Sequence, residues 1–148
     1  MKYHSLNGEI WKDSEFKSFS ILARLIFLYL FSSKDCPPSG MYKKELDEMA
    51  FELKITQEAL LNPFKELDGK WIAYDSKRSV VWVKDKIKNT ITADKFKDHR
   101  VKSISRDIEE FKNCYFIQEF FNTYPEFIDI ALKLERLEKD KKVKDCVL

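Results

Sequence analysis

The chain has 148 residues, of which 27 are Lys or Arg and 25 are Asp or Glu, so its formal net charge is only +2. A length of this order suits one domain, or one small domain with an appendage. Scarce glycine and abundant aromatic residues exclude a disordered chain and favour a compact, mostly helical protein. A net charge this small does not by itself indicate a nucleic-acid partner.

The cysteines and histidines form no metal-binding motif. Cys36, Cys114 and Cys146 are widely spaced and include no CxxC pair, and His4 and His99 lie far apart in the sequence. We therefore expect a reducing, cytoplasmic compartment and neither a metal nor a cofactor. His4 is expected on the surface, and Cys36 is expected in an accessible loop because two prolines follow it.

The sequence carries no pattern that predicts catalysis. It lacks the GxxxxGKS/T loop of P-loop ATP hydrolysis, and its carboxylate-rich runs ELDE and DIEE are typical of solvated helix faces. No nucleophile or acid–base pair is recognisable. We therefore expect a protein that is not an enzyme.

A strongly apolar stretch, ILARLIFLYLF, covers residues 21–31. It is too short to cross a bilayer and contains Arg24, so we expect a buried core helix rather than a membrane span. Ser20 is its predicted N-cap, because the hydroxyl can accept a hydrogen bond from a free helical N–H. Apolar side chains cover nearly the whole circumference, which predicts a central position in the fold.

Residues 40–85 predict a short strand, two helices and a hairpin. The first helix is expected to begin near Lys43 or Lys44, with apolar residues recurring every three and four positions. Thr56 is the predicted N-cap of the next helix, and Gly69 its end, since glycine readily adopts the left-handed conformation. The segments KWIAY and SVVWVKD predict two strands joined by a short tip, DSKR.

The chain beyond residue 87 is charged and periodic, which predicts two further helical stretches with an interruption before Pro125. The second stretch contains more large apolar groups than one helix face can bury. We expect some of them to stay exposed and to join copies of the chain into a homodimer or larger oligomer through residues 107–137. The alternative is that these helices fold back and bury all of these groups within one chain. These groups are Tyr115, Phe116, Phe120, Phe121, Tyr124, Phe127, Ile128 and Leu132.

The order of these motifs resembles that of a known family. IWKD, ARLIFLYLFSS, SGMYK, KWIAYDSKRSVVWVKD and IQEFFNTYPEF look like the N-terminal winged-helix region of phage replication-initiation proteins, the DnaD-like replisome organisers. The resemblance implies a mainly α fold with a small antiparallel β-hairpin, that is, a winged helix-turn-helix followed by C-terminal helices. Its implied units are a winged helix-turn-helix domain over residues 1–88, a helical extension over 89–139 and a frayed tail over 140–148.

The same resemblance implies a function in phage or prophage DNA replication. Proteins of this family bind DNA near an origin, associate with themselves and deliver the replicative helicase or its loader. The expected partners of this chain are therefore DNA, the helicase or its loader, and further copies of itself, without a membrane.

Positive charge is concentrated in one segment of the chain. The net charge is −2 over residues 1–68, +7 over 69–106 and −3 over 107–148. Lys77 and Arg78 occupy the predicted hairpin tip, and an extended segment beyond it would present the alternating lysines 84, 86 and 88 on one face. This distribution predicts contact with DNA phosphates. The alternative is that the lysines only keep a half-buried sheet solvated and block edge pairing.

The predicted recognition helix is less basic than the hairpin. Gln57 and Asn62 have the chemistry to read an adenine edge, but two glutamates on the same helix would repel phosphate. Pro63 must either kink this helix or lie in the first turn of a restarted one. The candidate DNA-binding residues are Lys43, Lys44, Gln57, Asn62, Lys65, Lys77, Arg78, Lys84, Lys86 and Lys88.

A second function remains open on the sequence alone. The near-neutral charge and the acidic recognition helix also suit a protein-interaction adaptor, in which the winged helix is a scaffold that does not bind DNA.

Overall fold

The computed structural model of the protein describes residues 3–90, 100–129 and 139–140. The described part is mostly helical and contains one small three-stranded antiparallel sheet. The predicted mainly α fold with a small antiparallel β element is therefore confirmed.

The N-terminal part consists of a 3-10 turn over Gly8–Lys12, helix α1 over Ser14–Ser18 and helix α2 over Ile21–Ser32. The predicted N-cap of α2 is confirmed, because Ser20 Oγ accepts a hydrogen bond from the N–H of Ala23 at 3.1 Å. The expected core helix is confirmed, because Ala23, Ile26, Phe27, Leu30 and Phe31 are buried, although Ile21 on its other side is 79% exposed. No helix in residues 3–90, 100–129 or 139–140 is long and apolar enough to cross a membrane.

Strand β1 covers Met41–Lys43, and helix α3 covers Leu46–Leu53. The short strand is confirmed, but the expected helix start at Lys43 or Lys44 is wrong. Lys43 ends β1 because its backbone pairs with Val80 of the hairpin. Lys44 directly follows the strand, and its N–H donates to the Ser79 carbonyl at 2.8 Å.

Helix α4 covers Gln57–Leu67 and carries Pro63 in its interior. Thr56 caps it as predicted, with Oγ1 accepting from the Ala59 N–H at 3.0 Å. Gly69 follows the helix with a φ of +85°, the left-handed conformation expected after a helix end. Because the helix is continuous across Pro63, the alternative of a restart at this proline is wrong.

Strands β2, Ile72–Asp75, and β3, Val80–Val83, form the predicted hairpin, and the sheet order is β1-β3-β2. The chain then enters helix α5 at Lys86–Thr90. The expectation of an extended segment that presents lysines 84, 86 and 88 on one face is therefore wrong. Every residue of β2 and β3 is buried, so the alternative that the lysines keep a half-buried sheet solvated is also wrong.

The sheet is buried on both faces because two apolar clusters cover it. The first joins Tyr42, Val81 and Val83 to residues of α1–α4 such as Phe27, Met49 and Leu60. The second lies on the opposite face and joins strand residues to the C-terminal helices α6, Arg100–Glu110, and α7, Ile117–Thr123. Its buried members are Met41, Ala73, Val80, Trp82, Ile87, Ile104, Ile108, Phe111, Cys114, Phe116, Phe120, Tyr124 and Phe127.

Polar contacts also join the C-terminal layer to the sheet. Ser39 Oγ, in the loop before β1, donates to Asp107 of α6 at 2.6 Å. The Tyr124 hydroxyl donates to the carbonyl of Lys84, just after β3, at 2.6 Å. The 3-10 turn Pro125–Phe127 follows α7, which confirms the interruption expected before Pro125.

Most of the C-terminal aromatic residues are used inside this layer. Phe116, Phe120, Tyr124 and Phe127 are buried and Phe121 is half-buried, while Tyr115 and Ile128 are exposed. Leu132 lies outside the described residues. Among the described members of this group, only Tyr115 and Ile128 are exposed, because the second face of the sheet is covered by the others.

Candidate nucleic-acid interface

Lys44 is an internal residue rather than a surface cation. Its side chain is 1% exposed, and Nζ donates to Glu52 at 2.7 Å and to Glu48 at 3.0 Å, with Asp35 at 3.5 Å. Burial alone would lower the pKa of Lys44, but the hydrogen bonds with Glu52 and Glu48 outweigh it and raise the pKa above its ordinary value. An ammonium held this way cannot reach a phosphate, so Lys44 is removed from the candidate surface.

Lys86 and Lys84 are also held by acceptors within the protein. Lys86 is 3% exposed, and its Nζ lies 2.9 Å from the Phe31 carbonyl oxygen and 2.6 Å from His4 Nδ1. Lys84 pairs with Glu119 of α7 at 2.5 Å and donates to the Gly69 carbonyl at 3.2 Å. Lys86 thereby links α5 to α2, and Lys84 links the end of β3 to α7. His4, expected on the surface, is half-buried beside Lys86.

The remaining seven candidates are exposed. They occupy four places: the end of the edge strand, the hairpin turn, α5 at the base of the hairpin, and the outer side of α4. They are Lys43; Lys77 and Arg78; Lys88; and Gln57, Asn62 and Lys65.

The hairpin turn is held in a fixed conformation by the buried Asp75. Its Oδ1 accepts hydrogen bonds from the backbone N–H groups of Lys77 at 3.1 Å and Arg78 at 3.2 Å, and its Oδ2 pairs with the Arg78 guanidinium at 3.2 Å. Burial would raise the pKa of Asp75, but the Arg78 and Tyr115 N–H groups and the guanidinium hold it below its ordinary value. The basic side chains therefore project from a backbone that is already ordered.

Arg78 lies between two shallow depressions. One, of about 240 Å³, is lined by Lys43, Arg78 and Glu110 together with apolar side chains. The other, of about 230 Å³, is lined by the hairpin turn and by Asn113 and Tyr115 of the turn between α6 and α7. The shared Arg78 makes one continuous surface from Lys43 to Tyr115, which we call the wing-tip surface.

The surface between α4 and the hairpin is acidic, in contrast to the basic wing-tip surface. A depression of about 290 Å³ there is lined by Glu45, Asp47 and Gln57, and none of its lining residues in the described structure is Lys or Arg. Glu58 is exposed nearby on α4. Phosphate would be repelled here, so Gln57 is poorly placed to reach a DNA groove.

Glu66, the other glutamate of α4, has a structural role. Its carboxylate accepts from the Ser20 N–H at 2.9 Å and from Ser20 Oγ at 2.6 Å, so it joins α4 to the start of α2. These hydrogen bonds lower the pKa of Glu66 below its ordinary value. Its charge is therefore partly neutralised by the N-terminus of α2.

The sequence did not identify Asn113 and Tyr115 as candidate DNA-binding residues. Tyr115 stands in an aromatic run whose next member, Phe116, is buried, and no local pattern separates the two. The burial of both sheet faces, in contrast, had a signal: the unbroken apolar run VVWV lacks the alternation of a half-solvated strand.

The two described cysteines are buried, so the expectation that Cys36 is accessible is wrong. Burial raises the pKa of the Cys114 thiol to about 11. Within residues 3–90, 100–129 and 139–140, no group of three His, Cys, Asp or Glu residues could hold a metal ion.

Comparison of the chain with known proteins gave no match: no protein-family model, no curated protein and no solved structure matches it. The resemblance to replisome organisers therefore depends on the short sequence motifs and their order alone.

Proposed function

We propose that the chain is a non-enzymatic DNA-binding module with a winged helix-turn-helix fold, which holds DNA mainly through backbone phosphates. In this proposal α3 and α4 are the helix-turn-helix, and the β2–β3 hairpin is the wing. The element order and the sheet order β1-β3-β2 support this assignment.

The observation that carries the proposal is the pair Lys77 and Arg78 on an ordered hairpin turn. Both side chains are exposed, Asp75 fixes the backbone that presents them, and Lys43 extends the surface through the depression that it shares with Arg78. Phosphate contacts of this kind give affinity without sequence preference and make binding depend on salt. Lys44, Lys84 and Lys86 take no part, because they are mostly buried as well as held by acceptors within the protein. Arg78 also pairs with Asp75, but its side chain is 46% exposed.

The test is a titration of a DNA duplex at several salt concentrations, with fluorescence anisotropy as the readout. Removing two phosphate contacts with the double variant Lys77→Ala/Arg78→Ala should reduce the slope of log affinity against log salt by about 1.8. The matched control, Lys12→Ala/Lys17→Ala, removes the same charge from the N-terminal elements. Those elements pack at the base of the hairpin rather than at its tip, since their Phe16 stacks on Trp71.

The biological setting that we propose is phage or prophage replication initiation in the cytoplasm, and it is supported by the sequence resemblance. Delivery of a replicative helicase or its loader belongs to the same proposal. The homodimer or larger oligomer stays a prediction. Among the described C-terminal residues, Ile128 is an exposed apolar side chain that such an interface could use.

The second candidate function is a protein-interaction adaptor on the same scaffold. It is favoured by the carboxylates that line the depression between α4 and the hairpin, and by the exposed Ile21 and Leu25 on α2. The DNA titration described above distinguishes the two functions, because they predict different results. An adaptor would show no salt-dependent affinity for DNA even at about 50 mM salt, where phosphate contacts are strongest.

A further inference from the structure

Tyr115 is exposed although both of its chain neighbours are buried. Its side chain is 62% exposed, while Cys114 and Phe116 belong to the apolar cluster that covers the outer face of the sheet. The buried neighbours anchor the turn on both sides. The Tyr115 N–H also lies 3.4 Å from Asp75 Oδ2, the carboxylate that organises the hairpin turn. Tyr115 is therefore a large aromatic side chain on a rigid base.

The surroundings of Tyr115 suit a nucleotide. It lines the depression of about 230 Å³ with Lys77 and Arg78 on one side and Asn113 on its own turn. An aromatic ring beside cationic side chains is the arrangement in which a base stacks while the adjoining phosphate is neutralised. Asp75 also lines this depression, but its carboxylate is already engaged by Lys77, Arg78 and Tyr115.

The ring can stack only on a base whose face is accessible. In an intact duplex the base faces are covered by their stacked neighbours, whereas an unpaired base offers its face at little energetic cost. We propose that the wing-tip surface binds single-stranded DNA with Tyr115 stacked on an unpaired base. This inference rests on the proposed DNA-binding function and names the strand form that the site prefers.

The experiment compares single-stranded DNA and duplex DNA of equal length, each followed by fluorescence anisotropy at one fixed salt concentration. The variants are Tyr115→Ala, which removes the ring, and Tyr115→Phe, which keeps it. Loss of one stacked base should weaken single-strand affinity of Tyr115→Ala by at least about fivefold. Duplex affinity should stay within about twofold, and Tyr115→Phe should bind both forms like the wild type, because stacking needs the ring and not the hydroxyl.

The salt slope and the melting temperature distinguish a lost stacking contact from a lost phosphate contact and from unfolding. Tyr115→Ala removes no charge, so its slope of log affinity against log salt should equal that of the wild type. An unchanged melting temperature shows that the weaker binding is not caused by unfolding. Equal single-strand affinity for Tyr115→Ala and wild type would overturn the inference, as would an equal loss on both DNA forms.

The inference and the proposed function fail in different ways. If Lys77→Ala/Arg78→Ala weakens DNA binding while Tyr115→Ala changes nothing, the phosphate surface stands and the stacking site is refuted. If the wild-type protein binds neither DNA form at low salt, both are refuted.

Discussion

The substitution Gly40→Ala tests the junction that joins β1 to α5 in this structure. Gly40 has a φ of +79°, and a Cβ placed on it would lie 2.4 Å from the Val83 carbonyl oxygen and 2.8 Å from Lys86 Cβ. The Gly40 carbonyl also accepts the Val83 N–H at 2.9 Å, so β1 cannot move aside without straining this hydrogen bond. A left-handed alanine costs about 1–2 kcal/mol, and overpacking adds about 1–3 kcal/mol. We therefore expect Gly40→Ala to lower the free energy of unfolding by about 2–5 kcal/mol.

Gly69 provides a control for this substitution within the same chain. Its φ of +85° is nearly the same, but an added Cβ would have no atom within 4 Å. Gly69→Ala should therefore lose only the conformational part, about 1–2 kcal/mol. Urea unfolding followed by tryptophan fluorescence measures both variants. Equal losses for the two would refute the close approach of Gly40 to Val83 and Lys86.

Two further substitutions test the internal assignments. Lys44→Met keeps the apolar stem and removes the ion pairs, each worth up to about 1 kcal/mol beside half-exposed carboxylates, so we expect a loss of about 1–2 kcal/mol at neutral pH with an unchanged DNA salt slope. The hydrogen bond from Lys44 lowers the pKa of Glu52 below its ordinary value. The stabilisation by this pair is therefore present above the ordinary pKa of a glutamate and is lost as the pH falls through the lowered pKa, so wild type and Lys44→Met should converge in urea melts at acid pH. Acid melts that do not converge would contradict the ion pairs of Lys44. A reduced salt slope would show that Lys44 belongs to the DNA-binding surface. Pro63→Ala restores the N–H that an α-helix directs to the carbonyl of residue 59, but it also increases the conformational entropy of the unfolded chain. We expect a net increase of about 1–2 kcal/mol in the free energy of unfolding, measured with urea. A decrease would show that α4 requires the proline.

The sequence predicted elements whose signals are local. Ser20 and Thr56 were found as N-caps because each stands directly before an apolar helical pattern, and the hairpin was found from its β-branched and aromatic strands. These predictions need only residues that are close in the sequence, which is why they agree with the structure.

Whether a given lysine is held inside the protein or stays exposed depends on residues distant in the sequence, so it could not be predicted from the sequence. Lys86 is held by the carbonyl of Phe31, 55 positions earlier, and Lys84 by Glu119, 35 positions later. A charge count over residues 69–106 treats these lysines and the exposed Lys77 alike. Only the tertiary contacts show which cations remain for a phosphate, and the same holds for the exposure of Tyr115.

The central claim is that the wing-tip surface holds DNA phosphates through Lys77 and Arg78. The salt-dependent titration of duplex DNA with the wild type, Lys77→Ala/Arg78→Ala and the control Lys12→Ala/Lys17→Ala tests it most directly. We predict a slope of log affinity against log salt that shrinks by about 1.8 in the wing variant and stays at the wild-type value in the control. A wing variant that stays folded and keeps the wild-type slope would contradict the claim.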